Sequence, residues 1–400
     1  MLLLCLCLCL SPAVSAQSND SDNKDDQYLL SESTYNVLTE INKLLESGQY
    51  NEALNKLRML EQDVSDAYEK AVVQQTFGYA YNGLQRYRQA ADAFINAVNS
   101  NALPDDVSHK LDYFIAQLLA QIEDYQRAID YLDKWFAKET DPGLNAFRLA
   151  AGIHYEIENY DRVIHYARKA INKSEQARES LYQLLLAAYF ETKQYSNAGD
   201  LLENMLQLFP DQPRYWKQLY SIYQLLDQEK NALGVYELAH KRGYLDAEEK
   251  EQLARLYLSL DAPYRAATFL QDELNAGGIK SNAENLRLLA ESYYLARETD
   301  NAIKAYARAA ELSNDPELYF RRGQLLINEQ RWQPAQEALQ QALAAGQFKH
   351  RPRAQLLLGI AAYKLDNYDM ARQALKQVRQ DKDMREQAEY WLQQIKQRNS

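Results

Sequence analysis

Cysteine is confined to one short stretch. Cys5, Cys7 and Cys9 are the only three in 400 residues, so beyond the first ten residues no disulfide, thiolate nucleophile or zinc-thiolate site is expected. Glycine and proline are scarce, at 13 and 9, too few for a loop-rich or β-rich architecture. A surplus of positive charge is also missing: 45 Lys and Arg face 56 Asp and Glu, for a net charge of -11. That balance argues against nucleic acid as a partner, because binding phosphates needs a basic face that releases counterions. The five histidines (His109, His154, His165, His240, His350) never stand four apart on one helix face with an adjacent carboxylate, the spacing a zinc site would use. No phosphate loop, dinucleotide glycine pattern or nucleophile elbow occurs. The expectation is therefore a chain that is not an enzyme, with no catalytic, cofactor or metal site and no small-molecule substrate. Its partners are expected to be proteins.

What is present begins with a leader. Residues 1–16 join an apolar run, Leu2 to Leu10, to Ser11-Pro12 and then Val14-Ser15-Ala16. This is the anatomy of a secretory signal, with cleavage expected after Ala16 and export as the consequence. The apolar run is too short to span a bilayer as a helix. Leucine precedes each cysteine where a lipoprotein signal needs small residues, so lipid anchoring is not expected. Residues 17–33 include the polar, mostly acidic stretch Ser18 to Asp26 and read as a disordered mature N-terminus. Lys24 and the lack of a turn glycine or closing Glu oppose reading those carboxylates as a calcium loop.

From Thr34 onward a small residue recurs at a fixed interval. Ala53, Ala90, Ala128, Val163 and Ala198 begin the series, and Ala232, Ala266, Ala302, Ala335 and Ala371 continue it, spaced 33 to 38 residues apart. Large residues stand a turn away, as in Phe77-Gly78, Tyr81, Ala90, Phe94 and Ala97, or in Trp216, Leu219, Tyr223, Ala232, Tyr236 and Ala239. A small residue at this interval lets two antiparallel helices approach, and the large neighbours fill the remaining space. In period and in these residues the chain resembles the tetratricopeptide repeat. The resemblance implies an all-α, right-handed superhelical solenoid of about ten helix-turn-helix repeats over residues 34–380. Residues 381–400 would supply a capping helix, Met384 to Arg398, with Trp391 on its apolar side. No linker interrupts the array, and Asp141-Pro142-Gly143 and Gly277-Gly278 are the expected joints.

Tyrosine is abundant, at 30, and much of it falls at ordinary core positions of the repeat. The remaining interest is in the first helix of each pair, whose inward face lines a groove in this family. Projecting the register there places Tyr79, Tyr113, Tyr155 and Phe190 toward the groove, and further on Tyr294, Phe320 and Tyr363. Arg148, Lys217, Arg255 and Arg287 are interleaved with them. Aromatic rings and guanidinium groups favour protein-binding hot spots, so this groove is the candidate site, for an extended or helical peptide. The Lys/Asn clamp that chaperone-binding repeats use for a terminal carboxylate is not found at matching positions. Residues 346–400 carry 11 Lys and Arg against 6 Asp and Glu, a local positive excess that could face an acidic partner, a membrane surface or a cell-wall polymer, or serve only as a solvated cap.

Three segments carry a narrower resemblance: Leu208 to Trp216 (LFPDQPRYW), Ala262 to Ala267 (APYRAA) and Leu312 to Tyr319 (LSNDPELY). They are similar to the long periplasmic tetratricopeptide proteins that accompany TonB-ExbB-ExbD systems of Gram-negative bacteria. That resemblance implies a periplasmic, non-enzymatic scaffold or adaptor, contacting the TonB complex or outer-membrane receptors and supporting iron-siderophore uptake. A scaffold for outer-membrane or cell-wall assembly machinery is the alternative.

Overall fold

The computed structural model describes residues 28–174 and 176–398; the expected leader lies outside them. Its internal contacts divide the chain into two compact units, Met1–Lys193 and Gln194–Ser400, each taken by itself below. The first contains α1 (Glu32–Glu46), α2 (Tyr50–Asp63), α3 (Ala67–Gly83), α4 (Tyr87–Asn99), α5 (Asp105–Gln121), α6 (Tyr125–Lys138), α7 (Leu144–Glu156), α8 (Tyr160–Lys173) and α9 (Glu179–Glu191). The second contains α10 (Tyr195–Leu208), α11 (Pro213–Leu225), α12 (Glu229–Lys241), α13 (Ala247–Ser259), α14 (Pro263–Ala276), α15 (Ala283–Leu295) and α16 (Thr299–Ser313). It continues with α17 (Pro316–Asn328), α18 (Trp332–Ala345), α19 (Arg351–Lys364), α20 (Tyr368–Val378) and α21 (Arg385–Arg398). Among the described residues every regular element is a helix; α1–α8 form four successive pairs in the first unit and α11–α20 five in the second, and the twenty helices before α21 are the number that ten repeats predict.

The ten small marker residues are all completely buried. Three first helices add a glycine where the partner helix comes closest. A Cβ at Gly78 would fall 2.5 Å from Phe94, one at Gly323 2.8 Å from Leu339, and one at Gly359 2.6 Å from Leu375. These contacts explain why glycine, otherwise costly inside a helix, is used there.

The same short turn joins the two helices of each pair and links α9 to α10 along the chain. Gly48, Gln85, Glu123, Glu158, Lys193, Asp227, Asp261, Arg297, Gln330 and Asp366 all adopt left-handed backbone, with φ between 54° and 76°. In nine of these turns the next N–H donates to the carbonyl five residues back at 2.8–2.9 Å, as Arg86 does to Tyr81 and Asn159 to His154. This is the Schellman closure that satisfies the last carbonyls of a helix. Only the first of the ten left-handed residues is glycine, so the others hold a side chain in a region that disfavours it.

Neighbouring pairs are tied by a few polar contacts. Tyr257 donates to Glu237 Oε1 at 2.7 Å, Arg265 meets the same oxygen at 2.6 Å, and Tyr223 donates to Glu203. Burial, together with the Glu237 carboxylate, pushes the Tyr257 phenol well above its usual range. Glu273 on α14 is nearly buried between Lys250 Nζ at 2.7 Å and His240 Nε2 at 3.5 Å. Gly277 is left-handed, and a Cβ on Gly278 would run into that carboxylate. The Gly277-Gly278 pair therefore serves close packing in addition to ending a helix.

The ordered array starts earlier than expected. Within the 17–33 stretch read as disordered, Tyr28 packs edge-on against Tyr68 at 5.4 Å and Ser31 caps α1. Ser31 donates from both its N–H, at 2.8 Å, and its hydroxyl, at 2.6 Å, to the buried Glu69 of α3. A long-range partner, invisible to composition, orders these residues. At the other end α21 lays Ala388 and Ile395 against Leu356, Tyr363 and Leu375. It is the expected cap.

Replacing Gln85 by glycine relieves the left-handed strain and is expected to stabilise the protein by about 1 kcal/mol, read as a higher thermal midpoint. Ala128→Leu, by contrast, is expected to cost about 1–3 kcal/mol through overpacking.

Candidate protein-binding face

Counted back from the left-handed turn residue, the candidate residues fall into three positions. Tyr113, Arg148, Lys217, Arg287 and Phe320 stand ten before it, Tyr79 and Arg255 six before, and Tyr155, Phe190, Tyr294 and Tyr363 three before. Offsets of four and seven share one helix face, so the candidates form a single stripe on the first helices of each unit.

In the first unit the stripe is aromatic and amide-rich. Tyr79 is half-buried, edge-on to Phe94 at 5.0 Å, and accepts from Gln75 Nε2 at 3.3 Å. Tyr113 is half-buried against Trp135 at 4.8 Å, and burial raises its phenol pKa. Arg148 donates to Asn145 Oδ1 at 3.3 Å. Tyr155 is 37% exposed, edge-on to Tyr160 at 5.9 Å, and Phe190 is half-buried on α9.

In the second unit the cations of the stripe are already paired, in most cases by the next first helix. Lys217 Nζ lies 2.8 Å from Glu249 and 3.8 Å from Asp246; its hydrogen bond to Glu249 raises the ammonium pKa. Arg255 meets Glu284 at 3.0 Å, and Arg287 meets Glu291 of its own helix at 3.4 Å. Exposed pairs of this kind contribute about 0–1 kcal/mol to stability, but they neutralise the charge that a partner would meet. Tyr294 stands 54% exposed beside the exposed Leu295.

Two candidates are not on the surface. Phe320 is only 2% exposed, behind Phe348 at 5.8 Å and stacked on His350 at 5.4 Å. Tyr363 is 8% exposed, covered by Trp391 of α21 at 5.1 Å. In each case an element following in the chain covers the stripe, so register alone misassigned them. Leu225, Tyr264 and Leu295 were missed, and all three are exposed. Leu225 and Leu295 are the last residues of α11 and α15, and an apolar residue just before the turn, one place off the stripe, is the signal that marks them.

The buried polar groups beside the stripe are structural. His154 is core, as expected, stacked on Tyr166 at 5.5 Å with its imidazole pKa lowered by burial, although Nδ1 has no hydrogen-bond partner. Lys364, by contrast, is exposed, with its ammonium 5.8 Å from the Trp332 ring centre and 5.9 Å from that of Trp391, within cation–π reach of both. Asp112 is buried, and its Oδ1 has no hydrogen-bond partner. Desolvation raises its carboxyl pKa, opposed by Lys134, Lys138 and His109.

The family model of the tetratricopeptide repeat matches residues 76–142 and 320–384. Those two stretches, about a third of the chain, match the tetratricopeptide repeat, and proteins built from that repeat generally work as protein-interaction scaffolds. No curated protein matches it. Among solved structures, the MamA protein is 18% identical with a TM-score of 0.36, covering 44% of this chain and 94% of its own. The TPR2AB-domain:pHSP90-complex of yeast Sti1 is 17% identical with a TM-score of 0.34, covering 64% and 96%. A tetratricopeptide repeat protein from Parabacteroides merdae is 13% identical with a TM-score of 0.34, covering 66% and 100%.

A carboxyl pKa raised in the folded state favours folding below the unfolded value, and that contribution is lost as pH rises through the folded one. Asp112→Asn, which cannot ionise, is therefore expected to be more stable than the parent at neutral pH, by about 1 kcal/mol. The advantage should vanish on acidification, as denaturant midpoints measured across pH would show.

Proposed function

We propose that this protein is a periplasmic scaffold whose first-helix stripes hold a polypeptide partner, and that the partner belongs to a TonB-type energy-transduction system. The observation that carries the binding part is the aromatic stripe itself. Tyr155 and Tyr294 are exposed, whereas all the other aromatic side chains except Tyr35, Tyr264 and Tyr390 are buried or half-buried. Rings of this kind give contact area at little entropic cost and dominate protein-binding energetics. Support for export comes from the leader-like residues 1–16. Support for the TonB system comes from the resemblance carried by the segments at 208–216, 262–267 and 312–319.

Crosslinking in the periplasm followed by pull-down tests the proposal. Recovery of energy-transducing membrane proteins is the expected result, and recovery of outer-membrane or cell-wall assembly factors alone would replace it with the assembly reading. Tyr155→Ala combined with Tyr294→Ala is expected to weaken capture by about tenfold or more with helicity unchanged by circular dichroism. Unaltered capture would exclude the stripe as the binding face.

A further inference from the structure

The positive excess near the C-terminus becomes a defined surface in the fold. The first turns of α19, the end of α20 and the start of α21 meet: Gln355 Nε2 donates to Gln377 Oε1 at 2.6 Å, and Arg385 Nε donates to the Arg379 carbonyl at 3.0 Å. Two of the four carboxylates at this end are committed, and Asp383 and Glu386 are exposed and in no ion pair among the described residues. Asp381 accepts the N–H groups of Asp383 and Met384, each at 3.0 Å, and Glu389 faces Arg379 at 3.7 Å. Asp366 and Asp369 are engaged at the opposite end, by Arg398 at 3.2 Å and Arg372 at 3.1 Å. Arg351 is likewise used internally, donating to the carbonyls of Leu343 and Gly346 at 2.8 and 2.7 Å.

Four cations are left, against the two carboxylates of Asp383 and Glu386. Lys349, Arg353, Lys376 and Lys382 are exposed, and none is in an ion pair among the described residues.

We propose that this end of the last helices is a docking face for an acidic polypeptide segment. The charge distribution selects the chemistry: residues 346–400 hold 11 cations against 6 carboxylates in a chain of net charge -11. An acidic partner is repelled by the rest of the chain and steered to this end. A lipid-surface site would combine the cations with apolar side chains that enter the headgroup layer. From residue 346 on, the one exposed large apolar side chain among the described residues is Tyr390, in the middle of α21. Nothing in this proposal depends on the first-helix stripes.

The test uses the full chain and a fluorescently labelled polyglutamate peptide, with a Gly-Ser peptide, phosphatidylglycerol vesicles and sedimentation of the protein alone alongside. The variant joins Lys349→Gln, Arg353→Gln, Lys376→Gln and Lys382→Gln. A control joins Lys43→Gln, Lys230→Gln, Lys241→Gln and Lys304→Gln, four exposed lysines elsewhere that remove the same net charge. The expected result is salt-sensitive peptide binding that the first variant weakens about tenfold and the control by less than about twofold, with circular dichroism unchanged in both. Absence of peptide binding, equal loss in both variants, or an unchanged affinity in the first variant overturns the proposal. So does binding to vesicles without binding to peptide, and so does a peptide-free oligomer that only the first variant disrupts, since that would make the partner a second copy.

Discussion

How closely two helices can approach at one small side chain governs everything else in these units. With Ala90 or Ala335 completely buried at that contact, Phe94 can close over Gly78 and Leu339 over Gly323. The left-handed residue then sets where the second helix begins, and the next pair meets a surface whose shape is already fixed. Stability in such an array is a sum over pairs and nearest neighbours. Contacts such as Tyr257 with Glu237, or Ser31 with Glu69, therefore act locally and do not need a common core.

That local logic also shapes the surface. The second unit carries many cations on its first helices, yet Lys217 and Arg255 are met by acids of the following first helix. Such pairing links successive first helices and neutralises the cations of the stripe.

Periodicity made the helix pairs and their buried markers legible, because every pair repeats the same packing demand. The turns were less legible. Nine of the ten left-handed residues are Gln, Glu, Lys, Asp or Arg, so glycine, the usual marker of such backbone, was absent where it would have helped. Register placed the stripe and its exposed members Tyr155 and Tyr294, but failed for Phe320 and Tyr363. Their burial depends on Phe348 and Trp391, contacts from elements outside the pair. The boundary between the two units at Lys193 and Gln194 carries no Gly, Pro or Ser enrichment, and nothing in composition announces it.

The approach of Lys364 to Trp332 and Trp391 gives the last pair its own optical handle. Tryptophan occurs only four times in the chain, and the other two, Trp135 and Trp216, belong to α6 and α11. Two of the four indoles therefore lie beside one ammonium group. Peeling α21 away would remove one of those two indoles from the ammonium and alter their emission, while far-ultraviolet ellipticity would lose only one of the twenty-one helices among the described residues. Fraying of the array can thus be followed by its colour before it can be followed by its helicity.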